Sequence, residues 1–174
     1  MLDGGLLLLR VAAGLTVAAH GAQKLFGWFG GPGLTGFADS LESMGFRRTR
    51  ELAWLAGLAE FGGGLLLALG LITPLATAAL VGMMLSATLV GHRGKGFFAA
   101  QGGFELPLLL AVVAAAIALT GPGAYALDTV IDLPVTDVAW TWGAIVLGVV
   151  AAAVTWIAHR SALSRADRTR LQTA

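Results

Sequence analysis

The sequence has no cysteine. That excludes thiol and disulfide chemistry carried by this chain, and with it iron–sulfur clusters and metal sites held by thiolates. Charge is scarce too: 12% of the 174 residues are Asp, Glu, Lys or Arg, half the ~25% of an average soluble domain. Proline occurs only five times, so the apolar stretches run on with few interruptions. What remains is 57% hydrophobic with a mean hydropathy of +0.82. The apolar residues come in long runs instead of alternating with polar ones, so the chain is an integral membrane protein.

Five runs approach the ~20 residues a helix needs to cross hydrocarbon: 5–28, 51–71, 74–92, 104–121 and 138–158. The first begins near Asp3 without a basic leader and keeps His20, Lys24 and Trp28 where a cleavage site would fall, so it reads as a retained span and not a signal peptide. Pro74 sits where a helix start tolerates it, and "GPG" at 121–123 closes the fourth run. Segment 34–46 differs: Leu34, Phe37, Leu41 and Met44 recur at helical spacing, with Asp39, Ser40 and Glu42 on other faces. It is expected to be a short amphipathic helix at the membrane interface. The expected fold is all-α: an antiparallel four-helix transmembrane bundle over 1–128, an outer loop and fifth transmembrane helix over 129–158, and a basic tail over 159–174.

Lysine and arginine are one-sided. Arg47, Arg48, Arg50, Arg93, Lys95, Arg160, Arg165, Arg168 and Arg170 fall on one side of the five spans; Asp3, Asp128, Asp132 and Asp137 fall on the other. The excess of positive charge in cytoplasmic loops then predicts a plasma-membrane protein with its N-terminus outside and its C-terminus in the cytoplasm.

Ionisable residues inside the spans are the candidates for function, because each costs ~2.5–3.5 kcal/mol at mid-bilayer and needs a partner. Arg10, Val17 and Lys24 share a helix face at seven-residue spacing. At ~1.5 Å per residue, His20 and Glu60 lie level with each other, Lys24 and Glu105 nearer the cytoplasmic interface, and Arg10 far up the other way. The expected site is a cluster of His20, Lys24, Glu60 and Glu105, with His20 facing Glu60. Lys24 could instead only anchor the helix by reaching the headgroups. Arg10 is expected to be a structural buried charge reaching towards Glu60, and His92 a peripheral residue. A haem between His20 and His92 is not expected, since the two differ in depth by ~12 Å. No set of residues suggests another metal, a covalently bound cofactor, hydrolysis or nucleic-acid binding.

Taken in order, "LLLRVAAGLTVAAHGAQKLFG", "GLAEFGGGLLLALGLITPLAT", "GHRGKGF…GGFELPLLL" and "GPGAYALD" resemble the successive blocks of the DoxX family of small membrane proteins, from about Leu6 to Asp128. The resemblance implies a four-helix membrane bundle, which the fifth span and basic tail extend. It also implies association with quinone-linked oxidoreductases or oxidative-stress membrane complexes, with membrane or soluble redox proteins as partners. Arg10, His20, Lys24, Glu60, His92 and Glu105 fall in these family-like blocks. Three readings follow. One is a redox-complex subunit with a quinone site among His20, Lys24, Glu60 and Glu105, at most an auxiliary subunit of the enzyme. The second is a non-catalytic scaffold that docks partner proteins. The third, a small-solute or proton transporter, fits worst, because no internal repeat or broken-helix pair is present. Small Gly/Ala faces towards the surrounding lipids also invite homo-oligomers.

Overall fold

The computed structural model describes residues 1–172 except Thr136, with side chains described to Ser164. It is all-helical, without strands among those residues. Helix α1 spans Leu2–Phe26, α2 Gly33–Ser43, α3 Thr49–Leu69, α4 Thr73–Ser86, α5 Glu105–Thr120, α6 Leu127–Val130 and α7 Val138–Gln172. α4 continues through a π-helical turn to Gly91.

Four of these elements are long and apolar enough to cross a membrane: Leu2–Phe26, Thr49–Leu69, Thr73–Gly91 and Val138–Ser164. α5, with 16 residues, is ~24 Å long, short of the ~30 Å of hydrocarbon. It nonetheless packs as a full member of the bundle, contributing Leu110, Ala111, Ala114 and Ile117 to the core. That core lies among α1, α3, α4 and α5, where Ala13, Val17, Leu67, Ala76 and Leu80 meet the α5 residues. α7 lies against α4. The outward faces carry exposed Leu8, Leu15, Leu58, Leu109, Val112, Val146 and Val150, a surface suited to lipid and not to water.

Small residues set how closely the helices approach. A Cβ on Gly64 would run into the backbone of Ala18 and Gly14, and one on Gly14 into Gly64 and Ala68. These glycines therefore bring α1 and α3 into backbone contact, as small residues do in lipid. Gly70 serves a turn instead: it takes the left-handed conformation (φ 64°) that ends α3.

Two expectations change shape. The tail does not break away at 158, because α7 continues as one helix to Gln172; the side chains of Arg165, Arg168 and Arg170 lie outside the described residues. The amphipathic segment forms α2 and stops at Gly45 (φ 88°), as its pattern indicates. Its apolar side chains Phe37, Leu41 and Met44 turn onto a cavity inside the bundle, where burial against protein competes with burial in lipid.

Candidate functional site

The bundle has an acidic end, with Asp3, Asp128 and Asp132, and a basic end, with Arg47, Arg48, Arg50, Arg93 and Lys95. Buried charge is organised differently at each.

Near the acidic end, Arg10 is fully buried (0% exposed). Its Nη2 donates to the Tyr125 carbonyl at 3.1 Å. It does not reach Glu60: α1 and α3 run antiparallel, and Arg10 and Lys24 are ~21 Å apart along α1, so the expected Arg10–Glu60 pair is replaced by a contact with the loop before α6. Asp128, also fully buried, accepts the backbone N–H groups of Ile72 (2.6 Å) and Thr73 (2.8 Å) at the start of α4. These donors have no partner within the helix, so the carboxylate supplies it from 55 residues away. The Asp128 N–H donates in turn to the Gly70 carbonyl at 2.8 Å, and Asp3 accepts the Ala124 N–H at 2.9 Å. The "GPGAYALD" segment is thus tied to α1, to the α3–α4 turn and to α4. This cluster ties the fold together, although Arg10 Nε and Nη1 and Thr73 Oγ1 are buried without a hydrogen-bond partner among the described residues. A cavity of about 420 Å³ lined by Gly121, Gly123, Thr129 and Thr141 adjoins the same segment but takes in neither Arg10 nor Asp128.

Near the basic end, Lys24 Nζ lies 2.5 Å from Glu60 Oε1. Glu60 is 1% exposed and Lys24 23%. The ammonium also lies over the Phe37 ring, 4.8 Å from its centroid, an attraction that strengthens as water is excluded. The second carboxylate oxygen, Glu60 Oε2, is buried without a hydrogen-bond partner among the described residues. The pair lines a cavity of about 360 Å³ walled by α2, α3, the end of α4 and one residue of α7, Thr155. Its walls are mostly apolar: Phe37, Leu41 and Met44 from α2 and its end, Leu52 and Leu55 from α3, Met83 and Val90 from α4. His92 and Lys95, just past α4, complete it. A mostly apolar cavity with a few convergent polar groups is the usual form of a small-molecule site.

Of the four residues expected to cluster, the cavity brings together Lys24 and Glu60 only. His20 does not face Glu60; its Nδ1 is 3.2 Å from Gln23 Oε1 on its own helix. The reason is angular: at 100° per residue, Lys24 lies about 20° from buried Val17 around α1, whereas His20 lies about 60° away, on the flank of that face. Lys24 therefore points into the bundle and is no mere headgroup anchor. Glu105 does not reach the cavity either, because its Oε2 accepts the Ala99 N–H at 2.9 Å and closes the loop before α5. His92, expected at the periphery, belongs to the cavity. Two further buried groups escaped sequence reasoning. Asp128 reads there as one more outer-loop charge; His159 on α7 lies past the expected end of the last span, yet is buried and stacked on Phe46 (centroids 5.4 Å apart). Neither has a local signal, since both partners are distant in sequence.

No group of three or more His, Asp or Glu side chains among the described residues is placed to hold a metal ion. No curated protein and no solved structure matches the chain. The DoxX family model matches residues 5–93. That stretch runs from α1 through α4 to the basic loop and so contains Lys24, Glu60 and His92, while α5, the Asp128 segment and α7 lie beyond it. With half of its length matched, and with the helical membrane architecture that its sequence blocks imply, the chain belongs to the DoxX family.

Proposed function

We propose that this protein is the membrane subunit of a redox complex and that the cavity at its basic end receives a quinone headgroup. The observation that carries the reading is the Lys24–Glu60 pair. A buried carboxylate oxygen without a partner, beside an ammonium that has donors to spare, sits in an otherwise apolar chamber. An unpaired buried acceptor is costly; a quinol hydroxyl would relieve that cost by donating to Glu60 Oε2, a quinone carbonyl would accept from Lys24, and the ring would cover the Phe37, Leu41 and Met83 surfaces.

Bound there, a quinone supplies two-electron, two-proton chemistry. The residues of this chain bind and handle protons. Lys24 keeps one N–H for Glu60 and has two more to donate to a carbonyl oxygen. Glu60 Oε2 can accept a hydrogen bond from a hydroxyl or take up its proton. α2 supplies Phe37 and Leu41 as apolar surface for the ring. Electrons come from a partner protein, since the chain has no cysteine with which to pass them from a thiol donor.

In the orientation set by the lysine and arginine distribution, the cavity opens on the cytoplasmic leaflet of the plasma membrane, where such a partner would dock. The helical continuation of α7 to Gln172, beginning with Arg160 over the Trp156 ring, suits that docking. It equally supports a scaffold role, in which α7 holds the partner and the cavity is unused. Titrating the purified protein with a short-tailed quinone separates the two. Saturable binding, weakened at least tenfold by Lys24→Met and by Glu60→Gln, supports the quinone site. Absence of binding, with partners lost only when 159–174 is deleted, supports the scaffold.

A further inference from the structure

Glu60 is 1% exposed and Lys24 23%, and both line the cavity, so protons reach the Glu60 carboxylate by way of the cavity and the groups along it. The charged or titratable side chains lining the cavity are Lys24, Glu60, His92 and Lys95. Of these, only His92 has two ring nitrogens, one of which can hold a proton in a hydrogen bond while the other accepts or releases one.

The structure fixes how His92 is arranged. Its Nδ1 is 2.6 Å from the Gly102 carbonyl oxygen. A carbonyl only accepts, so Nδ1 carries the proton and Nε2 is the ring nitrogen left to take up or give one. The carbonyl is itself held in place. Gly102 and Gly103 donate to Ala99 and Phe98, Phe104 donates to Gly96, and Glu105 donates from its N–H to Phe97 and accepts Ala99 with its side chain. Glu105, which does not enter the cavity, thus orients His92 at one remove. On the other side, His92 ends the π-helical turn Ala87–Gly91, its N–H donating to the Ala87 carbonyl at 2.9 Å. A π turn shifts register by one residue and occurs often at functional sites; here the turn and the residue it positions both line the cavity.

We propose that His92 is the proton-exchanging group among the residues lining this cavity. The inference rests on the quinone reading of the site. As imidazolium, His92 gives the Nε2 proton to the ligand oxygen nearest it, and the ring regains a proton from bulk water. The second proton is donated by the Lys24 ammonium, which regains one from water through the cavity, and both electrons come from the reduced partner, so that quinone, two electrons and two protons give quinol. In the reverse direction Nε2 accepts the proton.

The test uses the full chain in nanodiscs, saturated with a decyl-tailed benzoquinone and reduced by dithionite in place of the partner, with reduction of the bound quinone followed by absorbance. His92→Ala is expected to slow reduction about tenfold, with added imidazole restoring most of the rate. His92→Gln, which can still donate to Gly102, is expected to be equally slow. Unchanged rates in both variants, while Lys24→Met weakens binding at least tenfold, would overturn the role of His92 and leave the quinone site standing. If the unaltered protein binds no quinone, the site and the relay both fall.

Discussion

Removing Lys24 alone should cost far more than removing both members of the Lys24–Glu60 pair. Lys24→Met leaves the Glu60 carboxylate, 1% exposed, without its cation. Breaking a fully buried pair costs about 3–5 kcal/mol. Lys24 is 23% exposed and borders a cavity, which puts this case lower, at about 2–3 kcal/mol, because Glu60 can respond by taking up a proton. Glu60→Gln keeps an acceptor for Lys24, whose ammonium can hydrate through the cavity, and should cost about 1 kcal/mol. The double variant removes both charges and leaves neither unpaired, so it should stay within about 1 kcal/mol of the parent. The cycle then closes with about 2–4 kcal/mol of coupling. The assay is reversible unfolding of the detergent-solubilised protein in increasing SDS, followed by tryptophan fluorescence. Additivity of the two single changes within about 0.5 kcal/mol would refute the pair as a stabilising contact.

Three other expectations address the rest of the molecule. Asp128→Ala removes two charge-assisted hydrogen bonds to the start of α4 and should lower stability by about 3 kcal/mol in the same assay; an effect below about 1 kcal/mol would contradict its capping role. Gly64→Ala forces a methyl group into the backbone of α1 and should destabilise by at least about 1 kcal/mol, whereas Gly62→Ala, where a Cβ meets nothing, should be neutral or slightly stabilising. Equal effects at the two positions would mean that α1 and α3 are not in backbone contact. Finally, single cysteines introduced into this cysteine-free chain report the topology. Asp132→Cys should react with an impermeant maleimide on intact cells and Lys95→Cys only after permeabilisation; the reverse pattern would invert the bundle.

Much of the fold is legible because lipid imposes strong local rules. Backbone groups must pair within each segment, so runs such as 51–71 and 138–158 can only be helices, and Gly45, Gly70 and Pro74 mark where elements stop or start. The site is only half legible, for a geometric reason. Depth along a helix follows from residue number, and it brought His20, Lys24 and Glu60 to one region. Which of them meet depends on angle around the helix and on side-chain reach: Lys24 lies within 20° of the buried face at 100° per residue and is long enough to climb to Glu60, while His20 is turned aside. His92 and Asp128 depend on loops folding back, one onto Gly102 and the other onto Ile72 and Thr73. No local periodicity announces such contacts.

The account stands or falls on what occupies the cavity between α2, α3 and α4. A photoreactive short-tailed quinone, added to membranes containing the full chain and irradiated, gives the most direct answer once the labelled peptides are mapped by mass spectrometry. The account predicts labelling concentrated in 37–46 and 83–92, suppressed by excess unlabelled quinone and by Glu60→Gln. Labels spread over the outward faces of α5 and α7, indifferent to competitor and to the substitution, would contradict it.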